Sequence, residues 1–183
     1  ATQGDCYRVK IKAEVIPDEK AMKKTKENAL DDPSMPLTVK VWTDKETYRE
    51  GEKIKIYIKG NKPFFGKLVY HDAEQENLQL LPNPYRQDNY FQGGVIYEIP
   101  SGRDKFELEV KQPFGKESIV IYASISELGD LKLQQAGSVY SIKTKPKDIG
   151  IKTRGIKINE TSSIKSQQTA EFSEGMVNIR TRK

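Results

Sequence analysis

The chain has 183 residues, 36% of them hydrophobic and 31% charged, with 31 Lys and Arg against 26 Asp and Glu and a formal charge of +5. That length holds one medium domain with flanking segments, or two very small ones. A single cysteine and a single histidine exclude an intrachain disulfide, a thiolate metal cluster and a paired-histidine zinc site, and no apolar run approaches the ~20 residues of a membrane-crossing helix.

Residues 1–5 lack the basic and apolar regions of a signal peptide, so the sequence admits either a cytosolic start or a start trimmed after export. Residues 1–144 carry 22 basic and 22 acidic side chains, and residues 145–183 carry 9 against 4, so the whole net charge lies in the tail. A basic tail suggests polyanion binding. Its charges are scattered rather than clustered, which a solvated surface explains equally well and which argues against nucleic acid.

Between residues 6 and 16, Tyr7, Val9, Ile11, Ala13 and Val15 alternate with polar neighbours at the period of a half-buried strand. Residues 1–17 are therefore expected to be a strand that ends a preceding domain or packs on the next one. The charged stretch 18–36 has too thin an apolar stripe to dock a helix and reads as a linker. The main domain is expected over 37–144. Leu37, Val39 and Val41 form one strand, and Ile54, Ile56 and Ile58 fill one face of another. Residues 66–71 carry apolar weight on both faces, residues 72–77 form a polar hairpin loop, and 78–81 return as a short strand.

After Pro82-Asn83-Pro84 comes a polar and aromatic loop, followed by strands built on Val95, Tyr97 and Ile99 and on Phe106, Leu108 and Val110. Residues 119–123 are apolar on both faces and so central. Residues 126–137 read as a connection with weak helical character, and 139–144 as the last strand of the body. The basic extension 145–183 holds short strand-like segments at 149–152, 156–158 and 172–180, the last with Val177 and Ile179 on one side. Eight or more short strands separated by Gly and Pro turns predict an all-β fold, an antiparallel immunoglobulin-like β-sandwich with flanking strands.

Few residues stand out chemically. His71 and Asp72 are adjacent on a strand, where neighbouring side chains point to opposite faces, so they do not read as an acid-base pair. Asp72, Glu74 and Glu76 alternate as oxygen ligands for a hard cation would, but a solvated hairpin tip is the stronger reading, and no metal site is assigned. Trp42 and Tyr57 lie on the wet side of their strands and call for a shared cover. The sequence shows no Gly-x-Ser-x-Gly elbow, phosphate-cradling glycine loop or cofactor motif. No catalytic residue and no small-molecule cofactor is therefore expected. The best binding surface is the loop 83–91, with Asn83, Tyr85, Arg86, Asn89 and Tyr90 as its residues. Aromatic and Arg side chains on a loop between strands supply contact area. Phe91 reads as core cover, and Leu81 and Pro82 as the inward pair that leaves Tyr85 and Arg86 facing out.

In order, the segments Lys45-Glu46-Thr47-Tyr48-Arg49-Glu50-Gly51-Glu52, Gly66-Lys67-Leu68-Val69-Tyr70, Leu80-Leu81-Pro82-Asn83, Tyr97-Glu98-Ile99-Pro100 and Gln112-Pro113-Phe114-Gly115 with Glu117 resemble the bacterial family called domain of unknown function 4384, over about residues 37–125. Residues 74–77 lack the glycine that this resemblance implies in the hairpin. The resemblance implies a module of an exported or envelope-associated bacterial protein and no established activity. The expectation is then a non-enzymatic interaction module in the periplasm or otherwise exported, binding a protein or cell-envelope component through the 83–91 loop. Two alternatives stand beside it: a carboxylate-based hydrolase of envelope polysaccharide or peptidoglycan, and polyanion binding by the tail. The sequence sets no oligomeric state.

Overall fold

The computed structural model describes residues 29–129, 131–136, 139–143, 149 and 171–183. The strand expected over 6–16, the first part of the linker and the segments 150–152 and 156–158 lie outside the described residues. The strands are β1 (Val39–Thr43), β2 (Thr47–Arg49), β3 (Ile56–Gly60), β4 (Phe64–His71), β5 (Asn77–Leu81), β6 (Tyr90–Phe91), β7 (Tyr97–Ile99), β8 (Lys116–Ser124), β9 (Leu133–Ala136), β10 (Val139–Ile142) and β11 (Phe172–Arg182).

They form two sheets. The smaller has the order β1-β3-β7, and the larger runs β2-β11-β8-β4-β5-β10-β9, with β6 paired on β4. Every pairing is antiparallel except β11 with β2. Val39, Val41, Ile56, Ile58 and Ile99 of the small sheet share one core with Leu68, Leu81, Ile119, Ile121 and Ile179 of the large one. That shared core makes the molecule a β-sandwich, as the alternating strands predict. A second cluster, with Val69, Val120, Tyr122 and Ile142, covers the other face of the large sheet. β4 and β8 are thus buried on both faces, which is why their apolar runs do not alternate with polar residues.

Several boundaries differ from the sequence reading. The sandwich does not close at residue 144: β11 lies between β8 and β2, pairing with β8 from Phe172 to Arg180. Its Val177 and Ile179 do share the core side. Residues 29–36 are not a free linker. The Asn61 side chain donates to the carbonyls of Asp32, Met35 and Pro36 at 2.9–3.1 Å and accepts Thr38 N at 2.8 Å, while Leu30 is buried. Within the stretch 126–137, Leu133–Ala136 form β9, whose pairing with β10 satisfies the backbone there. Phe106, Leu108 and Val110 keep their alternation in a short pairing with residues 51–54, through Ile54 N to Leu108 O at 2.8 Å and Val110 N to Glu52 O at 2.9 Å.

β7 begins only at Tyr97, so Val95 stays outside it. The cause is the turn before it. Gly94 has φ of 74° and donates its N–H to Gly60 O at 2.8 Å, and a Cβ on Gly93 would stand 2.5 Å from the Lys62 Cα. Glycines are required here to press the chain against the β3–β4 turn.

Candidate functional site

The loop 83–91 leaves β5 at Leu81, whose side chain is fully buried. Gln79 donates to Pro82 O at 2.8 Å. Asn83 then organises the turn. Its Oδ1 accepts Tyr85 N at 2.8 Å and Arg86 N at 2.9 Å, and its Nδ2 donates to Leu80 O at 2.8 Å. An asparagine holding its own backbone in this way is turn chemistry. At 3% exposed, Asn83 shapes the loop and offers nothing to a partner.

Arg86 also departs from expectation, because it faces inward. Its Nη1 stands 3.2 Å from Asp104 Oδ2, with 17% and 9% of the two side chains exposed. Its guanidinium sits 5.8 Å from the centre of the Phe91 ring. Asp104 Oδ2 also accepts Ser101 N at 2.6 Å. Asn89 is half-buried and acts through its carbonyl, which accepts Gly66 N at 2.8 Å. Phe91 is fully buried between Phe64 and Tyr97, with ring centres 5.1 and 5.0 Å away.

Of the five expected surface residues, two side chains therefore face solvent. Tyr85 is 54% exposed and lies against Phe106, and Tyr90 is 41% exposed and lies against Phe65. The sequence reading missed Val95 and Ile96, which are 45% and 57% exposed just beyond the same loop. The signal for them was present in Gly93-Gly94, which breaks the alternation assigned to Val95.

The other end of β4 carries a different chemistry. A cleft of about 660 Å³ is lined by Glu46, His71, Asp72, Glu117 and Arg180 among others. A second cleft of about 420 Å³, lined by Ile54, Ile56, Tyr70, Leu80 and Leu108, shares Asp72 in its wall. Asp72 Oδ1 accepts Glu74 N and Glu76 N at 2.9 and 2.8 Å, while Glu74 and Glu76 point to solvent. No three acidic or imidazole groups among the described residues are arranged to hold a metal ion. His71 Nδ1 meets Asn77 Oδ1, so His71 and Asp72 have separate partners. Glu117 is 4% exposed and accepts the Thr181 hydroxyl at 2.6 Å. Burial, and then the Glu117 carboxylate beside it, hold the Tyr70 phenol well above its ordinary pKa. Trp42 and Tyr57 stack across β1 and β3 with ring centres 5.7 Å apart.

Residues 47–127 match the family model described as domain of unknown function (DUF4384). The match runs from β2 through β8 and leaves out β11, although β11 lies between them in the sheet. No curated protein and no solved structure matches the chain.

Proposed function

We propose that this sandwich is a non-enzymatic interaction module of an exported or envelope-associated bacterial protein, contacting a protein or envelope partner through the surface around the 83–91 loop. The observation that carries the reading is the exposure of Tyr85, Tyr90, Val95 and Ile96 on a segment pinned from within by Asn83 and by the Arg86–Asp104 pair. Large apolar side chains on a fixed backbone lose little freedom on association, and they are the residue types that anchor interfaces. The family resemblance is what supports the exported compartment in this reading. Hydrolysis by a carboxylate pair has weaker support, since Glu117 and Asp72 each commit an oxygen to hydrogen bonds within the fold.

The test replaces Tyr85 or Ile96 with a photo-crosslinking residue in the native host and compares each with the same residue placed at Lys53. A discrete adduct in the envelope fraction, formed from the first two positions and lost on Tyr90→Ser with Val95→Ser, is the expected result. Equal adducts from all three positions, or none, would remove the assignment.

A further inference from the structure

The end of the sandwich away from the aromatic loop holds a buried carboxylate, one oxygen of which meets no hydrogen-bond partner among the described residues. Odd-numbered residues of β8 face the core between the sheets, where Ile119, Ile121 and Ala123 pack. Glu117 takes the same orientation and is nearly buried. Its Oε1 accepts from Thr181 Oγ1, which itself accepts Gly115 N at 3.1 Å. Its Oε2 is buried with no hydrogen-bond partner among the described residues. A buried acceptor in that state is costly, more so when charged, and natural folds rarely leave one without a purpose.

Glu117 lines the larger cleft together with Asp72, whose Oδ1 is the oxygen occupied by the hairpin amides. Each carboxylate thus gives one oxygen to these bonds, and the Tyr70 hydroxyl is the group of the fold that stands beside the Glu117 carboxylate and shares it with any ligand. A guanidinium fork needs both oxygens of one carboxylate, whereas an ammonium, a compact centre with three donors, is served by single oxygens from two groups. Lys116 and Arg180 line the same cleft as cross-strand neighbours, are exposed, and form no ion pair among the described residues. Lys116 alternates with Glu117 along β8, so these two cations line the cleft from the opposite side of the strands to Glu117. Separated charges of both signs on one cleft disfavour a polyamine and suit a ligand that carries both signs at its two ends.

We propose that this cleft binds a small zwitterion, with a primary ammonium donating to Glu117 Oε2 and an anionic group toward Lys116 and Arg180. The inference is independent of the aromatic loop.

The test titrates the full chain with 6-aminohexanoate, hexylammonium and hexanoate, following backbone amide signals of residues 71–72 and 116–118 by NMR. Saturable shifts with the first two probes, tightest for 6-aminohexanoate and absent for hexanoate, are expected. Glu117→Gln, whose amide oxygen can still accept from Thr181, should weaken both amines about tenfold or more by removing a charge-assisted bond. Lys116→Gln with Arg180→Gln should weaken 6-aminohexanoate and leave hexylammonium unchanged. Asp72→Asn keeps the acceptor for the hairpin amides and should weaken both amines, which preserves the test if the Glu117 variant misfolds. Absence of saturable shifts in the native chain, binding of hexanoate as tight as that of 6-aminohexanoate, or amine affinity unchanged in Glu117→Gln or Asp72→Asn would each overturn the proposal.

Discussion

Arg86 ties the candidate loop to Asp104 across 18 residues of chain, with Nη1 3.2 Å from Oδ2 and both side chains largely shielded from water. Two neighbours on one loop thereby divide their tasks. Tyr85 presents its ring outward, and Arg86 fixes the backbone that presents it.

This division separates the effects of two substitutions. Arg86→Ala leaves Asp104 shielded without its cation, and should lower stability by about 1–3 kcal/mol in urea unfolding. Tyr85→Ser should stay within about 0.5 kcal/mol of the native chain, as exposed substitutions do, while weakening the photo-crosslinked contact. If Arg86→Ala proved neutral, the loop would not depend on this pair.

Asn83→Ala removes one donated and two accepted side-chain hydrogen bonds of a buried turn residue. The expected cost is about 2–3 kcal/mol, summing modest net terms for buried bonds. Asn83→Asp keeps the acceptor for the Tyr85 and Arg86 amides and should cost less in the same experiment.

At the tip of the β4–β5 hairpin Gln75 has φ of 68°, in the region that non-glycine residues enter at a cost of about 1–2 kcal/mol. The family resemblance implies a glycine in this hairpin. The Asp72 carboxylate holds the loop shut without one, by capping the Glu74 and Glu76 amides. Gln75→Gly should raise stability by about 0.5–1 kcal/mol after the larger entropy of the unfolded glycine is deducted. A lower midpoint in urea would show that the strain is absent.

β11 sits between two strands of the larger sheet. A chain ending at residue 170 would expose the edge of β8 and strip Ile119 and Ile121 of Val177 and Ile179. It is expected to lose cooperative thermal unfolding, measured by near-ultraviolet circular dichroism. A sharp transition in the truncated chain would restore a boundary near 144.

What the sequence revealed and what it hid follow from the range of the forces involved. Ile54, Ile56 and Ile58, and the doubly apolar run 119–123, announce burial by their own spacing. The structure places Ile119, Ile121 and Ala123 with the three isoleucines in the core between the sheets, and Val120 and Tyr122 in the cluster on the other face. β11 alternates too, but Glu174, Gly175 and Asn178 dilute the pattern, and its importance comes from β8 and β2, far away in sequence. The orientation of Arg86 was illegible for the same reason, since Asp104 decides it. Glu117 looks like any solvated charge between Lys116 and Ser118. Only the pairing with Ile179 and the Thr181 hydroxyl show that it points inward. Gly93-Gly94 was legible and marked the break that exposes Val95 and Ile96.

Tyr48 gives the fold a measurable alkaline limit. It is fully buried, donates its hydroxyl to Asp44 Oδ1 at 2.7 Å and accepts Lys45 N at 3.1 Å. Burial, then the Asp44 carboxylate, push its phenol up to about 12, and burial pushes Tyr122 up to about 12 as well. An unfolded tyrosine titrates near 10. Below that pH both states keep the proton and the stabilisation is fully present. Between about 10 and 12 the unfolded chain releases protons that the folded chain retains, so stability falls as pH rises and the contribution is lost through the folded value. Tyr48→Phe lacks this proton and the bond to Asp44, so at pH 8 it should be less stable than the native chain. Lysine titration is common to both proteins and cancels in the comparison. The stability gap between them should therefore narrow steadily from pH 10 to 12 in urea unfolding curves, and a gap that stayed constant across that range would show that Tyr48 ionises as freely folded as unfolded.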